Sequence, residues 1–335
     1  MRKTTIKQLA QELQLSTSTI SRALSDNYQI SQKTKERVKR HAMERRYTVN
    51  RYAKSLREGS TKTIGVVICA MDKPFMAQVL NGIYDGCNQA GYQFLVMQSK
   101  GSFNAEKECV ERLLHNGIDG LLISPSFNTF DLSYLVEQQA KGLPMVLFDR
   151  ISHQIKTHQV AVDNFLGAQT SAEYLLKKGM KRILVIGCLE EVWLSRERVD
   201  GFLSTMEQLA PGKHLCEVVN VDPTCKEQLT QQLEKVFVKH LKEQHQFDAI
   251  FATTDTFTTT AIRCLQKLRI DIPLVGFCNS ELADILLGNP TRIVQPAYQV
   301  GMAAVGQLLE LIRHPGQTDF ETIYLPTKLE EGIGI

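Results

Sequence analysis

Seven short apolar segments, separated by stretches with helical periodicity, constrain most strongly how this chain can fold. They lie at Ile64–Ala70, Phe94–Gln98, Leu121–Ser124, Met145–Phe148, Ile183–Ile186, Ala249–Ala252 and Leu274–Phe277. Segments that are apolar throughout are typical of parallel strands whose two faces are both covered by helices. Seven such strands are too many for one small sheet, and a new unit opens after Ala161 at Val162-Asp163-Asn164. The sequence therefore predicts an α/β body with two lobes.

Length and hydropathy exclude several classes of protein. The 335 residues suffice for about two ordinary domains. No apolar segment approaches the roughly 18 residues that a membrane-spanning helix needs. The first residues are basic and polar, without the apolar stretch of a secretory signal. We expect a cytoplasmic protein with no membrane association.

The charges of the chain are divided unevenly between its two parts. Residues 1–62 contain 15 Lys and Arg against five Asp and Glu, whereas the remaining residues contain 24 against 31. A small basic segment joined to a mildly acidic body indicates a polyanionic partner, because Lys and Arg that neutralise phosphates release condensed counterions. A solvated basic helix face is the alternative explanation of the charge alone.

The cysteine and histidine spacings do not indicate a metal or a redox site. Eight cysteines are present, and none lies closer than nine residues to another, so there is no C-x-x-C pair. His240 and His245 lack the H-E-x-x-H pattern of a zinc helix. We interpret the cysteines as small, mostly buried hydrophobic residues in a reducing compartment, and we expect no metal and no cofactor.

The basic segment has the pattern of three helices. Ile6, Leu9, Ala10 and Leu13 recur at helical spacing after Thr4 and Thr5, and Ser16 can cap a short second helix, Thr17–Leu24. A third helix is predicted at Gln32–Arg45, after Ser31. Two short helices joined by a tight turn fit a helix-turn-helix, in which small hydroxyl side chains permit close approach to the major groove and an arginine can pair with guanine. The residue spacing alone also fits a three-helix bundle without a DNA function.

The strings TIKQLAQELQLSTSTISRAL, ISQKTKERV and YTVNRYAKSL together resemble the lactose-repressor/galactose-repressor family of bacterial transcription regulators. The similarity runs without a gap over about 57 residues and continues through the body. It implies a helix-turn-helix DNA-binding domain at residues 1–48, a hinge at 49–61 and an effector-binding core at 62–335. The core is expected to have the periplasmic-binding-protein-like fold, with one lobe at about 62–161 and 294–322 and the other at about 162–293 and 323–335.

The resemblance also implies which residues contact DNA. The base-reading positions are Thr17, Ser18 and Arg22, and the candidate contacts to phosphates or the DNA backbone are Thr5, Ser16, Ser21, Ser31 and Asn50. Leu56 occupies the position of the hinge leucine that enters the minor groove. Such an apolar wedge unstacks a base step and kinks the duplex. The alternative is that Leu56 is a core residue of the linker.

Ligands of doubly wound sheets bind beyond the carboxyl ends of parallel strands, so the residues that follow the predicted strands are the candidates for the effector site. On this rule and on the resemblance, the predicted effector-binding residues are Asp72, Phe75, Asp149, Arg150, Trp193, Arg198, Asp255, Cys278 and Gln295. Core packing is the alternative for Phe75 and Trp193, and an internal ion pair is the alternative for Asp149 with Arg150.

Departures from the family pattern affect the choice of ligand. The chain has Thr254-Asp255 where the family has Asn-Asp, and Gly276-Phe277-Cys278-Asn279 where it often has G-F-D-D. Because Arg150 and Arg198 remain while an acceptor of sugar hydroxyls is lost, we expect a sugar acid or sugar phosphate in preference to a neutral sugar. The alternative stays open, since Asp149 or Asp255 could neutralise an arginine internally.

These observations predict a DNA-binding regulator, a repressor of carbohydrate-related genes, whose operator affinity is set by a small molecule between the lobes. It is expected to be a homodimer on a near-palindromic operator, because two-fold proteins read two-fold sites. A solute-binding protein of the same core fold is the main alternative, and the basic segment argues against it. An enzyme is not expected, since neither a Walker loop nor a G-x-S-x-G motif occurs.

Overall fold

A computed structural model describes residues 4–47, 59–126, 131–188, 193–222, 225–242, 247–286, 288 and 290–332, without the side chains of residues 193, 241, 242, 284 and 286. The chain divides into two compact units, Met1–Thr61 and Lys62–Ile335. We call them the head and the body. Asn50 and Leu56, the two hinge residues predicted to contact DNA, lie outside the described residues.

The head is built from three short amphipathic helices. They are α1 (Ile6–Leu13), α2 (Thr17–Leu24) and α3 (Gln32–Glu44), so the third ends one residue before its predicted end. Leu9, Ile20 and Val38, one from each helix, are fully buried and form a core with their apolar neighbours. The head therefore has an apolar core of its own.

The first lobe of the body is a six-stranded sheet between two layers of helices. Its elements are β1 (Thr63–Ile68), α4 (Pro74–Gln89), β2 (Gln93–Gln98), α5 (Phe103–His115), β3 (Gly120–Ile123), α6 (Ser133–Ala140), β4 (Met145–Phe148), β5 (Gln159–Val162), α12 (Ala297–Arg313) and β11 (Thr322–Leu325). All strands are parallel, in the order β11-β5-β4-β3-β1-β2. One apolar core lies between the sheet and helices α4 and α12, and another lies beneath α5 and α6.

The second lobe repeats this architecture. Its elements are α7 (Asn164–Lys177), β6 (Arg182–Gly187), α8 (Trp193–Leu209), β7 (Leu215–Asn220), α9 (Lys226–Lys242), β8 (Ala249–Ala252), α10 (Asp255–Leu268), β9 (Leu274–Phe277), α11 (Ala283–Leu286), β10 (Thr291–Val294) and β12 (Lys328–Glu330). The sheet order is β12-β10-β9-β8-β6-β7, and only β12 is antiparallel to its neighbour. Helices α7 and α8 cover one apolar core, and α9 and α10 cover the other.

The chain passes between the lobes three times, and two of the passages differ from the sequence prediction. Strand β5 continues through Val162, so the first passage follows Val162 instead of Ala161. The second passage lies between β10 and α12, close to the predicted Val294. The third passage was predicted near Ile323, but Ile323 pairs with Val160 inside the first lobe's sheet, so the chain leaves that lobe two residues later, after Leu325. A parallel partner on β5 keeps this segment in the first sheet.

Helices α4 and α12 of the first lobe approach each other closely because glycines face each other at their crossing. A Cβ atom on Gly82 would lie 2.1 Å from the carbonyl oxygen of Tyr298, and one on Gly301 would lie 2.1 Å from that of Val79. Only glycine permits this separation without a shift of the backbones. The helix that follows the second passage is thereby fixed on the first lobe. None of the helices described here is both long enough and apolar enough to cross a membrane.

Candidate functional site

The head presents the predicted base-reading residues to solvent. Thr17, Ser18 and Arg22 are exposed on α2, while Ile20 and Ala23 of the same helix are buried. This division follows from the helical period, which puts the apolar residues on one face and the hydroxyl and guanidinium groups on the other. The exposed face has the chemistry needed to read base edges in a major groove.

Three of the predicted backbone-contacting residues are the N-caps of the three head helices. The side-chain oxygen of Thr5 accepts from the Gln8 amide, that of Ser16 from the Thr19 amide, and that of Ser31 from the Thr34 amide. A helix N-terminus carries unsatisfied N–H groups and a partial positive charge, which suit a phosphate. Ser21 is half-buried in α2.

Polar side chains of the body lie between its two lobes, at the carboxyl ends of the strands. Asp149 and Arg150 follow β4 of the first lobe, whereas Asp255, Cys278 and Gln295 follow β8, β9 and β10 of the second. Asp149 and Arg198 belong to different lobes and attract each other electrostatically, so the fold brings these two predicted residues together. The strand ends therefore define one polar site between the lobes, which we call the cleft.

Arg198, on the second turn of α8, is the central cation of the cleft. It is only 4% exposed, and its guanidinium lies 3.8 Å from the centre of the Phe277 ring. Its Nε atom donates to Asn164 Oδ1 at 2.8 Å, and Nη1 donates to the Thr253 carbonyl at 2.6 Å. Burial lowers the pKa of Arg198 to about 10, and the charges of Asp149, Glu197 and Asp255 oppose this effect. The buried guanidinium therefore has neutral hydrogen-bond partners, and it interacts electrostatically with three acidic residues.

Asp149 occupies an unusual backbone conformation. Its φ angle is +63°, and the Arg150 amide donates to the Phe148 carbonyl at 2.7 Å across a tight three-residue turn. Non-glycine residues in this region are uncommon and concentrate at functional sites. Burial raises the pKa of the Asp149 carboxyl, although the charges of Arg150 and Arg198 and a hydrogen bond from Ser124 oppose the increase.

Arg150 is held by the same loop as Asp149. Its Nη1 atom donates to the Pro125 carbonyl at 3.0 Å, next to Ser124, whose hydroxyl donates to Asp149. Asp149 and Arg150 are therefore bound by two different residues, Ser124 and Pro125, of the loop that follows β3. Ser126, the next residue, donates its amide to the buried Glu106 carboxylate and fixes this loop on α5.

In the second lobe, Asp255 and Cys278 are neighbours. Burial raises the pKa of the Asp255 carboxyl, and the amide of Asn279, the thiol of Cys278 and the charge of Arg198 counteract the increase. Burial also raises the pKa of the Cys278 thiol to about 12, and the Asp255 charge contributes to the increase. Cys278 is therefore an uncharged, fully buried residue at neutral pH.

Asn279, which was not among the predicted site residues, connects several parts of the cleft. Its side chain binds both the backbone of Gln295 and the side chain of Gln78, which lies on α4 of the first lobe. Gln295 is buried at the second passage between the lobes. The departure from G-F-D-D was the sequence signal at this position, but the partner on α4 is 201 residues away.

The remaining predicted residues are less closely tied to the cleft. Asp72 is exposed, and its carboxylate lies 3.9 Å from Lys73 Nζ. Phe75 is half-buried and packs against the first lobe's core, in agreement with the alternative interpretation of this aromatic residue. Trp193 is the first residue of α8, and its side chain is not among those that the structure describes. All eight cysteines are free thiols.

The chemistry of the cleft is that of a binding site. Arginine donors and carboxylate acceptors that face one another can bind a ligand bearing both donors and acceptors, such as a polyhydroxylated molecule. No group of three or more His, Cys, Asp or Glu within the described ranges is arranged to hold a metal ion.

Comparison with known proteins agrees with both units. Residues 5–50 match the family of bacterial regulatory proteins called the lacI family, and residues 64–317 match the periplasmic binding protein domain. The chain is 26% identical to the ribose operon repressor of Haemophilus influenzae over 329 residues, 96% of each chain. Among solved structures, the Lac repressor dimer bound to operator and the anti-inducer ONPF has a TM-score of 0.83 at 22% identity, covering 99% of this chain and 98% of that one. A family regulator from Enterococcus faecium with bound ribose has a TM-score of 0.67 at 19% identity, covering 81% and 98%.

Proposed function

The chain belongs to the lacI family of bacterial regulatory proteins, with a periplasmic binding protein domain as its body, and on that premise we propose that it represses carbohydrate-related genes under the control of a neutral sugar. It is a sequence-specific DNA-binding transcriptional regulator whose core binds a small-molecule effector. The observation that carries the proposal is the buried Arg198 of the cleft, whose guanidinium donates to Asn164 and to the Thr253 carbonyl and is attracted by Asp149, Glu197 and Asp255.

The charges of the cleft favour a neutral effector. Asp149 and Asp255 both interact electrostatically with Arg198, so the guanidinium already has acidic neighbours in the cleft. An anionic ligand would have to compete with these carboxyl groups for the guanidinium, whereas sugar hydroxyls can donate to the carboxyl oxygens and accept from the guanidinium. Asp149 and Asp255 therefore disfavour a sugar acid or sugar phosphate, and we prefer a neutral sugar as the effector. Ribose, which is bound in the Enterococcus faecium regulator, is a neutral sugar of this kind.

A calorimetric titration of the full chain tests the effector class. Ribose serves as the neutral probe, and ribonate and ribose 5-phosphate serve as its acidic counterparts of similar size. We expect heat of binding from neutral pentoses or hexoses and none from the matched anions. Binding of an acid or phosphate with no affinity for any neutral sugar would contradict the proposal.

Arg22 provides a test of DNA reading by the head. We expect Arg22→Ala to reduce discrimination between a selected operator and a single-base variant by about 1–3 kcal/mol, because a bidentate arginine–guanine pair contributes that much. The operator is first selected from a random DNA pool with the full chain, and affinities are then measured by fluorescence anisotropy at one salt concentration.

Arg40→Ala is the matched control for Arg22→Ala, because Arg40 is an exposed arginine of the same head on α3. Loss of a phosphate contact there would weaken binding to all sequences about equally. If Arg22→Ala also weakened all sequences equally, Arg22 would be a backbone contact and not a base reader.

We also propose that the protein is a homodimer, and the edge of the first sheet offers a surface for it. Strand β2 is an edge strand on which Leu95 is 38% exposed. Tyr84 of α4 is 56% exposed and contacts Phe94 of β2 edge to face, with ring centres 6.4 Å apart. Exposed tyrosine and leucine beside an open strand edge are typical of an interface, because both apolar surface and edges favour association.

Charged substitutions on this surface are expected to dissociate the dimer. Tyr84→Glu combined with Leu95→Glu places two carboxylates in each half of a symmetric interface, where their burial is costly. Light scattering after size-exclusion chromatography at micromolar concentration should give a dimer for the wild type and a monomer for this variant. Leu215→Glu is the control, since Leu215 is 62% exposed on the edge strand of the other sheet. A monomeric wild type, or dissociation caused by Leu215→Glu alone, would refute this assignment.

A further inference from the structure

Each hydrogen-bonding group of Asn279 has a partner, and these partners lie in both lobes. Its backbone amide donates to Asp255 Oδ2 at 2.9 Å, and its side-chain oxygen accepts from the Gln295 amide at 3.1 Å. Its side-chain Nδ2 donates to the Gln295 carbonyl and to Gln78 Oε1, both at 2.8 Å. Gln78 Nε2 in turn donates to the Asn279 carbonyl at 3.1 Å. A residue that is only 4% exposed thus makes five hydrogen bonds.

The two bonds between Gln78 and Asn279 are the informative ones, because they join different lobes. Gln78 lies on α4 of the first lobe, and Asn279 follows β9 of the second. The pair is reciprocal, since each residue donates once to the other and accepts once from it. Lys73 Nζ and Thr256 Oγ1, 3.4 Å apart, form a second and more exposed contact between the lobes.

We propose that Gln78 and Asn279 form a latch that holds the two lobes in the arrangement seen here. The latch consists of the two hydrogen bonds between these residues, and Asn279 is anchored for this task by Gln295 and Asp255. Because Gln295 lies at a passage between the lobes and Asp255 lies in the cleft, the latch connects the effector site to the lobe angle.

The latch requires an amide at position 279. Nδ2 faces two acceptors, the carbonyl oxygen of Gln295 and the side-chain oxygen of Gln78. A carboxylate of the same shape cannot donate, so it would place an acceptor with a negative charge against both oxygens in a buried position. Asn279 is therefore a positioning residue, and the change from an acid to an amide at this position determines the stability of the lobe arrangement.

The latch has a consequence for effector binding that rests on the proposed function. A ligand that binds the latched arrangement does not have to close the lobes first, so its apparent affinity is higher in proportion to the latched fraction. Breaking the latch should weaken such a ligand by the same factor by which it lowers that fraction.

The test measures lobe opening in the full chain without DNA and without effector, so a failure of the proposed effector class does not affect it. In Asn279→Asp, backbone amides in residues 274–280 and 291–298 are expected to exchange hydrogen for deuterium about tenfold faster than in the wild type. The radius of gyration from small-angle X-ray scattering should increase in the same sample. Gln78→Ala should show both changes to a smaller extent.

Two further variants separate a latch from a local effect. Asn81→Asp makes the same chemical change at an exposed position on α4 and should leave exchange and scattering as in the wild type. In the Asn279→Asp background, Gln78→Lys supplies a cationic donor opposite the carboxylate and should move both readouts back toward the wild type.

Three results would overturn the latch. Wild-type exchange and scattering in both Asn279→Asp and Gln78→Ala would show that the pair does not hold the lobes. Faster exchange in Asn279→Asp without any change in Gln78→Ala, or without recovery by Gln78→Lys, would show that Asn279 acts only within the second lobe. If Asn279→Asp does not fold, the half-buried Gln78→Ala decides the question, because Gln78 belongs to neither core of the first lobe.

Discussion

Arg198→Ala is expected to abolish effector binding and to lower the free energy of unfolding of the body by about 2–6 kcal/mol, because two buried acceptors lose their donor at a cost of about 1–3 kcal/mol each. The substitution leaves the Asn164 side-chain oxygen and the Thr253 carbonyl without their donor. It also removes the cation that lowers the pKa of the carboxyl groups of Asp149 and Asp255. Urea unfolding and the calorimetric titration measure the two effects.

The stability loss in Arg198→Ala should depend on pH in a defined direction. Burial raises the pKa of Asp149 and Asp255 above the usual value of 3.8, so the folded state binds protons more tightly than the unfolded state. The contribution of such groups to stability is greatest below pH 3.8 and is lost as the pH rises through their folded pKa values. Without Arg198 these values rise further, so the deficit relative to the wild type should grow from about pH 4 to neutrality.

Arg196→Ala is the control for this experiment, because Arg196 is an exposed arginine two residues earlier on the same helix. It should retain effector binding and wild-type stability. Arg198→Lys keeps the charge but not the planar fork, and an intermediate loss is expected if the geometry of the hydrogen bonds matters. Equal unfolding free energies for Arg198→Ala and Arg196→Ala, with effector binding intact, would remove Arg198 from the centre of the cleft.

Strands could be predicted from the sequence where both of their faces are buried in the fold. The seven apolar segments all became strands; six of these segments are buried on both faces, as their composition predicts, and the exception is the edge strand β2. Five of the strands in the described part of the chain were not predicted from the sequence. Strands β7 and β11 lie at sheet edges and alternate between exposed and half-buried residues, β12 has only three residues, and β5 and β10 include polar Gln159 and Arg292. A search for segments that are apolar throughout does not detect strands of this kind.

Cleft residues that directly follow a strand could be predicted from the sequence. Cleft residues whose role depends on a hydrogen-bond partner far away in the sequence could not. The strand-end rule located Asp149, Asp255 and Gln295, because parallel strands bring their carboxyl ends to one edge. Gln78 and Asn164 were missed, since a glutamine inside α4 and an asparagine at the start of α7 give no local signal of their hydrogen bonds. The three head helices were predicted almost to the residue, because each begins at a hydroxyl N-cap.

Deleting residues 1–61 is expected to abolish operator binding completely and to leave a body that unfolds cooperatively and binds the effector as the full chain does. Each unit has its own apolar core, so the body does not need the head in order to fold. The deletion removes the positively charged segment and leaves a body with more acidic than basic residues. Such a body is repelled by DNA phosphates and lacks the cluster of Lys and Arg that would displace the counterions condensed on DNA.

The measurement compares the full chain and the truncated chain in a salt series with the selected operator. For the full chain, the logarithm of the association constant should fall linearly with the logarithm of the salt concentration, with a slope of about 0.9 for each neutralised phosphate. The truncated chain should show no specific binding at any salt concentration, while its thermal unfolding and its calorimetric titration match those of the full chain. Operator binding by the truncated chain would mean that the body itself reads DNA. A truncated chain that fails to fold would mean that the two units depend on each other, and a flat salt response of the full chain would exclude a mechanism dominated by phosphate contacts.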